Sequence, residues 1–79
     1  MRVKVTSRSF SRSPELVDAL QALFDTCVFR QGGPPRLAGA QLAEFLSDAD
    51  AAVVGLDPVD DAVLAACPNL RAVAKYGVG

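Results

Sequence analysis

The chain has 79 residues, with eight Lys and Arg against nine Asp and Glu, two cysteines, and no histidine or tryptophan. Its near-neutral charge, with the basic residues scattered, provides no electrostatic footprint for nucleic acid. Its longest apolar run, around Ala51 to Leu56, falls far short of the roughly 20 residues a membrane span needs. One small domain is expected, burying roughly 60–65% of its unfolded surface, and any chemistry that needs an imidazole must be done elsewhere.

Met1-Arg2-Val3-Lys4-Val5 reads as the start of a strand and not as a signal peptide, because no apolar h-region follows. Val3 and Val5 give that strand, Arg2 to Thr6, one apolar face. A hydroxyl-rich loop follows from Thr6 to Arg12. Ser13-Pro14-Glu15 then reads as a helix start, with a capping hydroxyl, a proline pre-set for the first helical position and a carboxylate in the first turn. Leu16, Val17, Leu20, Leu23 and Phe24 form one apolar stripe along that helix.

Thr26 to Arg30 reads as a short buried strand, and Gln31-Gly32-Gly33-Pro34-Pro35-Arg36 as a loop. Leu37 to Ser47 resumes helical spacing with Leu42, Phe45 and Leu46 toward the core, although Gly39 weakens its first turn. Ala51 to Leu56 does not alternate, which suits a central strand covered on both faces. Asp57-Pro58 repeats the cap-then-proline signal and opens a helix running to about Cys67, which Pro68-Asn69 stops. Leu70 to Tyr76 is a fourth strand, and Gly77-Val78-Gly79 ends the sequence.

The β-α-β-α-β-α-β alternation predicts an α/β fold, a flavodoxin-like three-layer domain with a parallel sheet. Right-handed crossovers favour the strand order 2-1-3-4. Four strands are present, and the fifth that normally lies beside the fourth is missing. An unpaired fourth strand invites edge pairing, so the isolated chain is expected to be poorly stable or to self-associate. Cys27 and Cys67 have no metal-ligand spacing and read as small buried hydrophobes in a reducing, cytoplasmic compartment.

Ligands in such a sheet bind outside the carboxyl ends of the strands. The segment Thr6 to Ser13 carries four serines, one threonine and two arginines, which suits either an anion or a solvated loop with a helix cap. Asp57 ends the third strand, where receiver domains keep a phospho-accepting aspartate. Ser7 and Arg8 stand where that chemistry needs an acidic pair for magnesium, so Asp57 reads as a helix N-cap. Gly77-Val78-Gly79 matches half of a dinucleotide GxGxxG, but it follows a fourth strand instead of a first. The same glycines could bring backbone N–H groups close to a small anion, or simply make a turn.

Val5-Thr6-Ser7-Arg8-Ser9-Phe10, Val54-Gly55-Leu56-Asp57-Pro58 and Pro68 through Gly79 together resemble the N-terminal part of D-isomer-specific 2-hydroxyacid dehydrogenases, in particular the phosphoglycerate dehydrogenase-like branch. The resemblance covers essentially the whole chain in order. It implies that residues 1–79 are part of the substrate-binding domain of a two-domain oxidoreductase, whose NAD-binding domain is absent here. NAD or NADP is left open. It implies further that the backbone amides of Val78 and Gly79, supported by Gly77, hold the carboxylate of a small 2-hydroxy or 2-oxo acid, and that Leu56 lines the same cleft. The family's catalytic arginine, glutamate and histidine have no counterpart, so no catalytic or metal-binding residue is expected, and the chain alone should be inactive. The parent enzyme is expected to be a homo-oligomer without nucleic-acid or membrane partners. The alternative is a free-standing flavodoxin-like module that binds an anion or a partner through Thr6 to Ser13.

Overall fold

The computed structural model describes residues 1–30, 33, 37–55 and 57–76. Among them are four strands, β1 (Arg2–Val5), β2 (Thr26–Phe29), β3 (Ala51–Val54) and β4 (Ala72–Lys75), and four helices, α1 (Arg8–Ser11), α2 (Pro14–Leu23), α3 (Gly39–Leu46) and α4 (Asp61–Ala66). The strands form one parallel sheet in the order β2-β1-β3-β4, the flavodoxin-like arrangement expected from the alternation of elements. None of the helices is long and apolar enough to cross a membrane.

Each face of the sheet has its own core. Val3, Val5 and Val53 lie on one face under Phe10 of α1, with Leu16 and Leu20 of α2, Phe24, Cys27 and Phe29 packed around them. Ala52 and Val54 lie on the other face, against Leu42 and Leu46 of α3, Val63 of α4, Ala49, Leu37 and Cys67. The two sets interleave along β3, because successive strand residues point to opposite faces. The apolar, non-alternating β3 therefore feeds both layers.

Several boundaries differ from expectation. The stretch after β1 is not an open loop. Ser7 accepts a hydrogen bond from the Phe10 N–H and caps the one-turn helix α1, whose Phe10 is buried. The helix expected from Asp57-Pro58 starts a turn later, at Asp61, because Asp60 supplies the cap by accepting from the Val63 N–H. In α2 the Ser13 cap and Pro14 stand where expected. Leu23, in its last turn, is 75% exposed, and it is Phe24 that joins the core. Gly39 enters α3 with φ +54, a backbone that L side chains avoid, and Ala38 before it provides no side-chain cap.

The two cysteines are free and belong to opposite layers. Cys67 is buried, with its thiol directed at the Ala43 carbonyl, while Cys27 is half-buried. Burial pushes both thiols up from their ordinary values, so little reactive thiolate exists at neutral pH. In native buffer Cys67 is expected to resist alkylation and Cys27 to react slowly, with both modified quickly in denaturant. Intact-mass analysis after iodoacetamide reads this directly, and rapid native labelling of Cys67 would contradict the packing.

Candidate functional site

Four polar residues are buried in the described structure: Thr6, Ser7, Arg30 and Asp57. All four lie just beyond the carboxyl ends of β1, β2 and β3. In the order 2-1-3-4 the chain leaves β1 for β2 on one side and returns to β3 on the other, so β1 and β3 flank the topological switch point of the sheet. The backbone fixes these positions. Arg30 N–H donates to the Val5 carbonyl at 3.0 Å, and Thr6 N–H to the Val53 carbonyl at 2.9 Å, extending the ladders of β1 by one residue.

Asp57 is the hub. Its Oδ1 accepts from Thr6 Oγ1 at 2.6 Å and from the Gly55 N–H at 3.1 Å. Its Oδ2 accepts from the Leu37 N–H at 2.6 Å. The carboxylate thus joins the ends of β1 and β3 to the start of the segment leading into α3. Burial alone would push this carboxyl up, but the hydrogen bonds from Thr6, Leu37 and Gly55 outweigh it and hold the group below its ordinary value. The N-cap role read for Asp57 from Asp57-Pro58 is therefore incorrect. The buried Leu37 N–H, the part-buried Gly55 N–H and the buried Thr6 hydroxyl need an acceptor here, and Asp60 caps α4 instead.

Arg30 closes the other side. It is 9% exposed, and its Nε donates to the Thr6 carbonyl at 3.2 Å. Thr6 is therefore held at its backbone by a guanidinium and at its hydroxyl by a carboxylate. Gly55 lies against Ser7: a Cβ there would sit 3.4 Å from both Ser7 Cβ and Oγ, in van der Waals contact with the α1 cap. At the β4 end, Tyr76 N–H donates to the Val54 carbonyl at 2.7 Å. The Tyr76 ring meets Phe10 edge-on, with centroids 5.2 Å apart at 88°.

The hydroxyls of the Thr6 to Ser13 segment are largely engaged inside the fold. Thr6 serves Asp57, Ser7 caps α1, Ser11 donates to the Ser7 carbonyl, and Ser13 caps α2. The shallow groove between α3 and α4, about 220 Å³ and lined by Gly39, Ala40, Ala43, Asp60, Ala62 and Val63, is mainly apolar, and its one carboxylate is already a cap. Among the described residues no group of three or more potential metal ligands exists. The turn after β1, where a dinucleotide-binding fold carries its glycines, reads Thr6-Ser7-Arg8. The described residues therefore do not fit a nicotinamide dinucleotide.

Leu56, Gly77, Val78 and Gly79, the substrate-contacting residues implied by the resemblance, lie outside the described residues. Their described neighbours Gly55 and Tyr76 follow the carboxyl ends of the adjacent strands β3 and β4, which are paired through Val54 and Lys75. Asp57, Thr6 and Arg30 lie far apart in the sequence and come together only in the fold. The only available signal was an aspartate, a threonine and an arginine each closing an apolar strand. Compared with protein-family models, with curated proteins and with solved structures, the chain matches none.

Proposed function

We propose that the chain is the substrate-binding segment of an NAD-dependent oxidoreductase acting on the CH–OH group of a small D-2-hydroxy acid, of the phosphoglycerate dehydrogenase-like kind, and that it is inactive alone. One observation carries most of this reading. The segments flanking Leu56 and Gly77 to Gly79 leave adjacent parallel strands at the rim of the sheet where α/β proteins bind ligands. Backbone amides at such a rim suit a carboxylate, since N–H groups in a glycine-rich turn approach an anion closely. Val78 and Gly79 hold the carboxylate in this proposal, Gly77 gives the turn its freedom, and Leu56 supplies an apolar wall. The chain's contribution is orientation of the substrate. Hydride transfer requires a nicotinamide held by a separate domain, and any proton transfer by an imidazole must come from outside this chain, which has no histidine.

The alternative, a free-standing module binding an anion through Thr6 to Ser13, is less well supported, because Thr6, Ser7, Ser11 and Ser13 are hydrogen-bonded within the fold. The test is a titration of isotopically labelled chain with pyruvate and, separately, with pyruvamide. Pyruvate is expected to shift the amides of Gly55 and Tyr76 saturably, and the uncharged amide to leave them in place. Equal effects of the two compounds, shifts confined to residues 6–13, or turnover of NADH and pyruvate by the pure chain would each overturn the proposal.

A further inference from the structure

We propose that Thr6 and Asp57 are positioning residues for the substrate cleft, which hold the turn after β3 in its binding geometry without touching the substrate. This inference rests on the reading above, because it takes that turn, through Leu56, to line the cleft.

Neither side chain is placed to meet a ligand. Thr6 is fully buried and Asp57 is 5% exposed. Both carboxylate oxygens are engaged, Oδ1 by the Thr6 hydroxyl and the Gly55 N–H, and Oδ2 by the Leu37 N–H. Any effect on binding must therefore pass through the backbone that these bonds hold. The bond from the Gly55 N–H ties residue 55 to residue 57 and so spans position 56 of the chain. The Thr6 hydroxyl then anchors that turn to the end of β1, the strand beside β3.

Thr6 is itself fixed from three directions. Its N–H donates to the Val53 carbonyl, its carbonyl accepts from Arg30 Nε, and its hydroxyl donates to Asp57. The helix that follows it adds a second support. Ser7, the α1 cap, lies against Gly55, and Phe10 of α1 meets the Tyr76 ring edge-on. The residues that precede the proposed substrate contacts on β3 and on β4 thus both rest on α1, two positions after the end of β1.

Packing alone does not require this chemistry. Burying a carboxylate carries a desolvation cost that an apolar side chain in the same place would avoid. Directional bonds to three separate segments select one backbone geometry instead. A cleft that holds its ligand through backbone amides depends on that geometry, since its affinity falls with the fraction of molecules that have the amides in place.

The test titrates isotopically labelled 79-residue chain with pyruvate, read at the Gly55 and Tyr76 amides, and follows amide exchange without ligand. Thr6→Val is expected to raise the pyruvate Kd about tenfold. It should speed exchange at Gly55 and Leu37 while Val3 and Val5 stay protected. Thr6→Ser, which keeps the hydroxyl, should restore both. Val63→Ala, a truncation in the opposite layer, should lower the urea midpoint at least as far as Thr6→Val and leave the Kd unchanged. The serine variant decides the matter even if Val63→Ala fails to fold. An unaltered Kd in Thr6→Val, a serine variant as weak as the valine one, or equal weakening by Val63→Ala would overturn this proposal alone. An unaltered chain that does not respond to pyruvate would overturn the dehydrogenase reading and this proposal with it.

Discussion

Replacing Asp57 by asparagine is expected to lower the unfolding free energy by about 2–3 kcal/mol, read as a fall in the urea midpoint at constant slope. The substitution is nearly isosteric, so it isolates the hydrogen bonds. The amide oxygen can still accept from Thr6 Oγ1 and the Gly55 N–H, but its NH2 group then faces the Leu37 N–H, which now donates at 2.6 Å to Oδ2. Two donors meet where one acceptor is required. Thr6→Val is the smaller companion change, at about 1 kcal/mol, since the carboxylate keeps both backbone partners. The effect of Asp57→Asn also depends on pH. The folded-state pKa of Asp57 lies below its ordinary value, so the folded chain binds fewer protons than the unfolded one in the intervening window. The stabilisation is complete above the unfolded value of about 3.9 and is lost as pH falls through the lower folded value. The gap between wild type and Asp57→Asn should therefore close on acidification below about pH 4. A gap that stays constant from neutral to acid pH would show that the carboxylate's charge is not what the node uses.

The second large effect is expected in the other layer. Leu42→Ala should destabilise the chain by about 3–4 kcal/mol, a large share of the about 4–12 kcal/mol that a chain of this length has in total. Leu42 is fully buried among Leu46, Ala49, Ala52, Val54, Val63 and Cys67. Two of those neighbours, Ala49 and Ala52, are too short to move into the space, and the β-branched Val54 and Val63 have stiff side chains, so much of the cavity persists and its penalty is felt. Leu23→Ala serves as the comparison. It removes the same atoms from a residue that is 75% exposed and should change stability by less than about 0.5 kcal/mol. Equal urea midpoints for the two variants would refute the assignment of the α3 core.

The fold was legible because its signals are local. The Val3/Val5 alternation, the Ser13-Pro14-Glu15 start and the unbroken apolar run of β3 each lie within a few neighbouring residues, and right-handed crossovers supply the order 2-1-3-4. Helix α1 was not legible, since four residues with one buried phenylalanine show no periodicity. The α4 start is ambiguous in the sequence because Asp57 and Asp60 carry the same capping chemistry three residues apart, and only their partners distinguish them. Those partners are distant in sequence: Asp57 meets Thr6 across 51 positions and Leu37 across 20. No window along the chain contains that node, and no periodicity points to it. The resemblance points to the glycine-rich end and to Leu56, while the buried polar groups Thr6, Arg30 and Asp57 come together only where three strand ends converge.

The edge-on contact between Phe10 and Tyr76 has a practical consequence. The protein has one tyrosine and no tryptophan, so its intrinsic ultraviolet emission comes from a single ring beside the candidate site. Phe10 lies within 5.2 Å of that ring and imposes a ring-current shift on its protons, which disappears if the two part. Any event that moves the end of β4 relative to α1, such as a ligand at the rim, should therefore register in one fluorophore and one set of aromatic resonances. The molecule carries its own optical probe where its function is proposed to lie.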